Sequence, residues 1–307
     1  MVTPKVIVTV APTGGMAKKS MSPHLPTQPE EIAESVKRSY DEGASICALH
    51  ARKPDDTATC DGNIYAQMNA LIRERCNIII NNSTGGGVDG EMIGKLRDGL
   101  DEILFEQRIR GLDASPEMGT LDGHTVLAHA GGQNIIAETN PDRCTQLAAA
   151  FQAKGVKPEW EVFSIAHILQ DCVRLIEAGY DKPPYFINLV LNMSVFQGAY
   201  PYSPKILQTM VDFLPKQSIF CVSAVGPAQI PATTNAILLG GHVRIGLEDN
   251  LYYRRGELAT NEQMVARMVR IIRELGAEPA TPEEAREMLG LTPVAAPQPT
   301  DRKTANA

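Results

Sequence analysis

Five consecutive stretches decide the fold: YFINLVL (185–191), SPKILQTMVDFL (203–214), SIFCVSA (218–224), AQIPATTNAILL (228–239) and HVRIGL (242–247). Three are short, nearly continuous apolar runs rich in β-branched residues, which suits strands buried on both faces. The two between them carry apolar residues at helical spacing. A strand buried on both sides and joined to the next by a helix is the unit of a parallel sheet.

The same beat extends outward from this segment. Strands are expected at 5–10, 45–50, 77–82, 118–121 and 158–163. Helices are expected from 27–28 to 42–43, with Pro29 in the first turn and Glu30 and Glu31 facing the positive end of the dipole, and at 63–75, 92–108, 142–154, 165–178 and 261–275. Eight strand–helix units in about 275 residues predict a (β/α)8 TIM barrel rather than an open doubly wound sheet. A short extra helix follows from Thr281 to Leu289, so the catalytic domain is expected over residues 1–290, and the Pro- and Ala-rich segment 291–307 is expected to be a flexible tail.

Composition narrows the function. Of the 307 residues 43% are hydrophobic and 21% charged, which is ordinary globular usage, and a net charge of -7 without a basic run disfavours nucleic acid or an anionic membrane as partner. Six dispersed cysteines without a CxxC pair read as reduced thiols, and the N-terminal apolar run stopped by Pro12 is too short for a spanning or signal segment. A cytoplasmic protein is the resulting expectation.

A barrel of this kind carries its chemistry at the carboxyl ends of its strands. Period-two alternation puts Arg244, Gly246 and Glu248 on one face of the eighth strand, with Ile245, Leu247 and Asp249 on the other until the strand curls out. The apolar pair belongs against helices, so Arg244 and Glu248 face the interior, where a charge needs a partner, a ligand or a metal. The same parity turns Ala48 and His50 inward on the second strand, and barrel closure lets His50 and Glu248 converge; an internal ion pair or a packed histidine would account for them without function. Ser83, Thr84, Gly85, Gly86 and Gly87 offer hydroxyls and unobstructed N–H groups suited to a carboxylate or phosphate, or make a flexible turn. No nucleotide-binding fingerprint is present.

The segments VIVTVAPTGG, MSPHLPTQPEEIAESV, GASICALHAR, NNSTGGG, PEMGTLD, PEWEVF and GGHVRIGLEDNLYYRRGELATN, in order from residue 5 to about 290, resemble the β-keto acid cleavage enzymes. The resemblance implies a zinc-dependent, homotetrameric TIM barrel that uses acetyl-CoA to convert a β-keto acid into acetoacetate and a new CoA thioester. It implies zinc on His50 and Glu248, an acid–base partnership of Arg244 and Asp249, and a substrate carboxylate held by Ser83 and Thr120. Several positions depart from it: Ala48 stands where the first histidine of an HxH pair is expected, leaving His124 or Asp122 as replacement ligands, and Met16 stands where a relative acting on an aminated substrate has an acid. Asp122 itself replaces an expected Asn, and Gly226-Pro227 replaces Gly-Arg. His167 is a further pocket histidine, whereas His24, His129 and His242 read as loop or packing residues. A metal-free or differently metallated lyase or hydrolase on a related acid, or a non-catalytic small-molecule-binding relative, are the alternative readings.

Overall fold

A computed structural model describes residues 3–292. Eight parallel strands close into a barrel: β1 (Val8–Val10), β2 (Ile46–Leu49), β3 (Ile79–Ser83), β4 (Met118–Leu121), β5 (Lys157–Val162), β6 (Tyr185–Leu191), β7 (Ser218–Ala224) and β8 (His242–Ile245). They follow chain order round the barrel, with β8 pairing β1. The architecture is the (β/α)8 barrel that the strand–helix beat predicts. Helices over Pro29–Asp41, Gly62–Arg75, Pro141–Lys154, Pro204–Asp212, Gln229–Leu238 and Asn261–Glu274 surround it. Several start where a side chain replaces a missing backbone acceptor: Asn140, Ser203 and Thr260 each accept an N–H of the first turn.

The inward residues form layers. Ile46, Ile79, Met118 and Phe186 make an apolar layer at the amino end, closed from below by Ala285 and Leu289 of the Pro282–Leu289 helix. Above it the interior turns polar, with Asn81, Glu159 and Asn188 all fully buried. The expected tail lies, from residue 293 onward, outside the described residues. Among the described residues no helix is long and apolar enough to cross a membrane.

The expected helix over 92–108 is replaced by a hairpin of Ile93–Arg97 and Leu100–Ile103, followed by a single turn at Phe105–Arg108 and a 3-10 stretch at Ile109–Ala114. Asp98-Gly99 is the two-residue loop, and an Asp-Gly pair strongly favours a tight hairpin because its second residue takes a positive φ, here 75° at Gly99. A second hairpin, Val126–Ala130 with Gln133–Ala137, turns on Gly131-Gly132. The two hairpins join into a four-stranded sheet inserted among the loops at the carboxyl end.

Strand β8 also ends earlier than its parity suggests. The backbone turns at Gly246 (φ 145°), where a Cβ would meet the Ala11 carbonyl oxygen at 2.2 Å, so only glycine fits. After this turn Glu248 donates its backbone N–H to Ala11, and Asp249 comes back to the same side as Arg244. The strict alternation that separated Asp249 from Arg244 therefore does not hold, because the strand is over by Ile245.

Candidate active site

Arg244, carried on β8 next to Thr9 of β1, points into the barrel and gathers carboxylates from three directions. Its Nε and Nη2 donate to Asp249 at 3.1 and 2.9 Å, Nη2 also reaches Glu248 Oε1 at 2.5 Å, and Nη1 reaches Glu161 Oε1 at 2.5 Å. The planar fork of a guanidinium makes this possible, since it presents donors in fixed directions to several acceptors at once. Glu161 in turn accepts from the Asn188 side chain, and Glu159 one layer below accepts from Asn81.

This arrangement separates the acids by charge state. Burial would raise Glu248, yet the adjoining Arg244 and His50 hold it down to about 2, so it is a permanent carboxylate. Burial raises Asp249 to about 6 against the pull of Arg244. Burial also pushes Glu161 well above the usual carboxylate range, with Arg244 opposing. A fixed anion, a carboxyl that ionises near neutrality and a carboxyl that prefers its proton thus share one cation. Groups with such separated affinities can take and return protons in one site.

His50 follows β2 and lies 3.5 Å from Glu248 through Nε2, while its Nδ1 is 2.7 Å from the Gly86 carbonyl. That carbonyl requires a proton on Nδ1 and leaves Nε2 turned to the carboxylate. The loop after β1 is pinned by the buried Arg52, which donates to the carbonyls of Gly14 and Ala17 and so fixes Met16 at the rim. The cavity between these elements is about 110 Å³ and is lined by Met16, His50, Ser83, Gly85, Gly86 and Asp122, as well as by Glu161, Arg244 and Glu248. A larger one of about 1040 Å³ adjoins it, sharing Met16, Met193 and Glu248, with Asp249 on its wall and Arg254, Arg255 and Arg267 farther out.

Of the residues singled out by the sequence, His50, Glu248, Arg244 and Asp249 come together, and Ser83, Gly85, Gly86 and Met16 line the same cavity. Thr84 and Thr120 do not line it: the Thr84 hydroxyl donates to the Thr120 carbonyl at 2.6 Å, fastening β3 to β4. The Gly85 N–H already donates to Ser83 Oγ at 3.0 Å, which leaves less of the glycine run for an anion than its sequence suggests. His124 is buried, stacked on His167 with centroids 3.8 Å apart. Burial, then the neighbouring His167, keep His124 well below the ordinary histidine range.

Zinc is tested by these donors. His50 has the orientation of a metal-bound imidazole, its second nitrogen held by a carbonyl, and Glu248 Oε2 is buried without a partner. An open catalytic zinc site takes three protein ligands. Ala48 offers none, and neither His124 nor Asp122 completes the set: among the described residues no three His, Cys, Asp or Glu side chains are placed to hold a metal. The residues present do not fit the zinc site that the resemblance implies.

Glu161, and Glu159 beneath it, are the functional candidates that the sequence reading passed over. The signal was present: in PEWEVF two acids alternate with apolar residues in a strand buried on both faces, the same pattern that marked Arg244.

Fold and site together define a (β/α)8-barrel protein whose buried titratable groups meet toward the carboxyl rim of the strands. Comparison with known proteins gives the family. Residues 5–291 match the profile of the beta-keto acid cleavage enzyme family. The chain is 35% identical over 290 residues to the 3-keto-5-aminohexanoate cleavage enzyme of Acetoanaerobium sticklandii, covering 94% of this chain and 99% of that one. It is 31% identical to the 3,5-dioxohexanoate:acetyl-CoA acetone transferase of Paraburkholderia graminis, covering 94% and 96%. Among solved structures it resembles the apo structure of ObcA, with a TM-score of 0.69 at 21% identity over 88% of this chain and 66% of that one, a likeness of fold. The chain belongs to the β-keto acid cleavage enzyme family.

Proposed function

We propose that this enzyme condenses a β-keto acid with acetyl-CoA and releases acetoacetate and a new acyl-CoA. The observation that carries the reading is the Arg244 cluster, in which a carboxyl that ionises near neutrality, Asp249, is held by both oxygens against a guanidinium at a cavity wall. Deprotonating carbon next to a ketone needs such a base together with positive charge for the developing enolate.

In this mechanism the substrate carboxylate lies against the Ser83 hydroxyl and the backbone of Gly86, and its keto oxygen faces His50 and Arg244. Asp249 removes the α-proton. The enolate carbon attacks the acetyl thioester and expels CoA thiolate, which then adds to the former keto carbon. The bond between that carbon and the α-carbon breaks, Asp249 or Glu161 returns a proton, and atoms balance as keto acid plus acetyl-CoA giving acyl-CoA plus acetoacetate. The adjoining cavity, with its three arginines, suits the phosphate-bearing CoA. Names of relatives such as the Paraburkholderia graminis transferase support acetyl-CoA as co-substrate. Zinc has no step here, because its donor set is one ligand short.

A cytoplasmic location and a homotetrameric assembly belong to the same proposal. Six buried free thiols favour a reducing compartment. The function is tested by incubating purified protein with mixed β-keto acids and acetyl-CoA while assaying acetoacetate and bound metal. Acetoacetate that needs both substrates supports the reading, and none from any keto acid overturns it.

A further inference from the structure

The lining of the smaller cavity is divided. Its charged and hydrogen-bonding groups come mainly from β8, β2 and β3: Arg244, Glu248, His50 and Ser83. The other side is apolar. Ile103, Val126 and Ala137 come from the inserted four-stranded sheet, Phe163 from the end of β5, Val190 from β6, and Phe196 from the loop after β6. Phe163 and Phe196 meet edge to face, with centroids 5.3 Å apart at 71°, which fixes both rings. The inserted sheet thus supplies half of an apolar wall opposite the polar centre.

From this division we propose that the substrate's tail, the part beyond the keto carbon, is a short uncharged hydrocarbon seated on the wall of Ile103, Val126, Ala137, Phe163, Val190 and Phe196. The inference deepens the proposed function and rests on its reading that the site takes a β-keto acid. With the acid end on Ser83 and the ketone at Arg244 and His50, the wall is the lining left for the tail. An ammonium or a second carboxylate there would lose its hydration without gaining a partner, a heavy cost for an ion. Met16 at the rim adds no charge.

Three more polar groups touch the cavity, and none serves a charged tail: Glu161 is bound by Arg244 Nη1 and by the Asn188 side chain. Arg108 is committed to the carbonyls of Thr84 and Asp122 and to Thr139 Oγ1. Asp122 Oδ1 is buried without a partner, but this carboxylate sits beside Gly85, where a Cβ would lie 2.9 Å from its Oδ2, and 3.9 Å from Arg108. Its charge is answered by that guanidinium, so it is not a free partner for an ammonium tail.

Three six-carbon acids of matched length test the proposal: 3-oxohexanoate, 5-amino-3-oxohexanoate and 3-oxoadipate. Their dissociation constants are measured calorimetrically on the intact protein without acetyl-CoA, and acetoacetate formation is measured separately with it. Binding of 3-oxohexanoate at least about tenfold tighter than either charged acid is expected, since a single apolar contact in such a pocket commonly changes binding by that factor. Equal or tighter binding of the amine or the diacid, or binding of none of the three, overturns the proposal. Selective binding without acetoacetate would leave the wall's preference standing and remove the proposed reaction. Val126→Glu should erase the preference for the hydrocarbon tail; should that variant not fold, the wild-type comparison decides alone.

Discussion

Replacing Arg244 with Met removes the one guanidinium shared by Glu161, Glu248 and Asp249 while keeping an unbranched side chain of similar length. Three buried acids then lose their common cation at once. Breaking a buried ion pair by deleting one partner costs about 3–5 kcal/mol, because the other charge stays desolvated. Domains of this kind are stable by about 5–15 kcal/mol, so the loss is a large share of the total. The acids can escape by taking up protons, which fixes the pH dependence. In the wild type Glu248 is depressed to about 2, so its contribution is present above the ordinary glutamate range and fades as pH falls toward 2. In the variant, burial without Arg244 raises the folded-state values above the unfolded ones. The variant's deficit is therefore smallest below about pH 4.3, the unfolded glutamate value, and grows as pH rises. Urea unfolding of both proteins at pH 5 and pH 8 measures it. A deficit under about 1 kcal/mol at pH 8, or one equal at the two pH values, would refute the view that Arg244 compensates these acids.

Asp249→Asn should stop turnover while keto-acid binding persists, with loss of about 100- to 10000-fold in rate, and NMR of substrate α-proton exchange in deuterated water reports the step directly. Because burial raises Asp249 to about 6 and the base acts ionised, wild-type kcat/KM should climb as pH rises through about 6 and level above it; a profile flat from pH 5 to 8 would remove Asp249 as base. Ala48→His places a second imidazole two residues before His50 on the inward face of β2, and zinc affinity by chelator competition should rise at least about tenfold, or about 1.4 kcal/mol. An unchanged affinity would mean that the parent already has three ligands.

Much of this was legible in the sequence because the barrel strands are buried on both faces and announce themselves as apolar runs; β6 and β7 occupy the spans 185–191 and 218–224 read from composition. The inserted sheet was not, since Leu96, Leu100 and Ile103 also fit a helical spacing, and the deciding signal was local: Asp98-Gly99. At the site, parity placed Arg244 and His50 inward and set Asp249 on the other face only up to a curl it could not locate, because alternation cannot foresee where a strand stops, and the Gly246 turn stops this one. Thr84 looked like a ligand group from its place in the glycine run, whereas its hydroxyl is used between strands. Burial of His124 is likewise a tertiary fact, set by its stack on His167 and by Phe163.

One labelling measurement follows the route of the carbon atoms through the proposed reaction. The protein is incubated with an unlabelled β-keto acid that it binds and with acetyl-CoA carrying carbon-13 at the acetyl carbonyl, and products are read by NMR and mass spectrometry. The proposed chemistry sends the label into the ketone carbon of acetoacetate and leaves the new acyl-CoA unlabelled. Unlabelled acetoacetate, or label recovered as acetate, would contradict it.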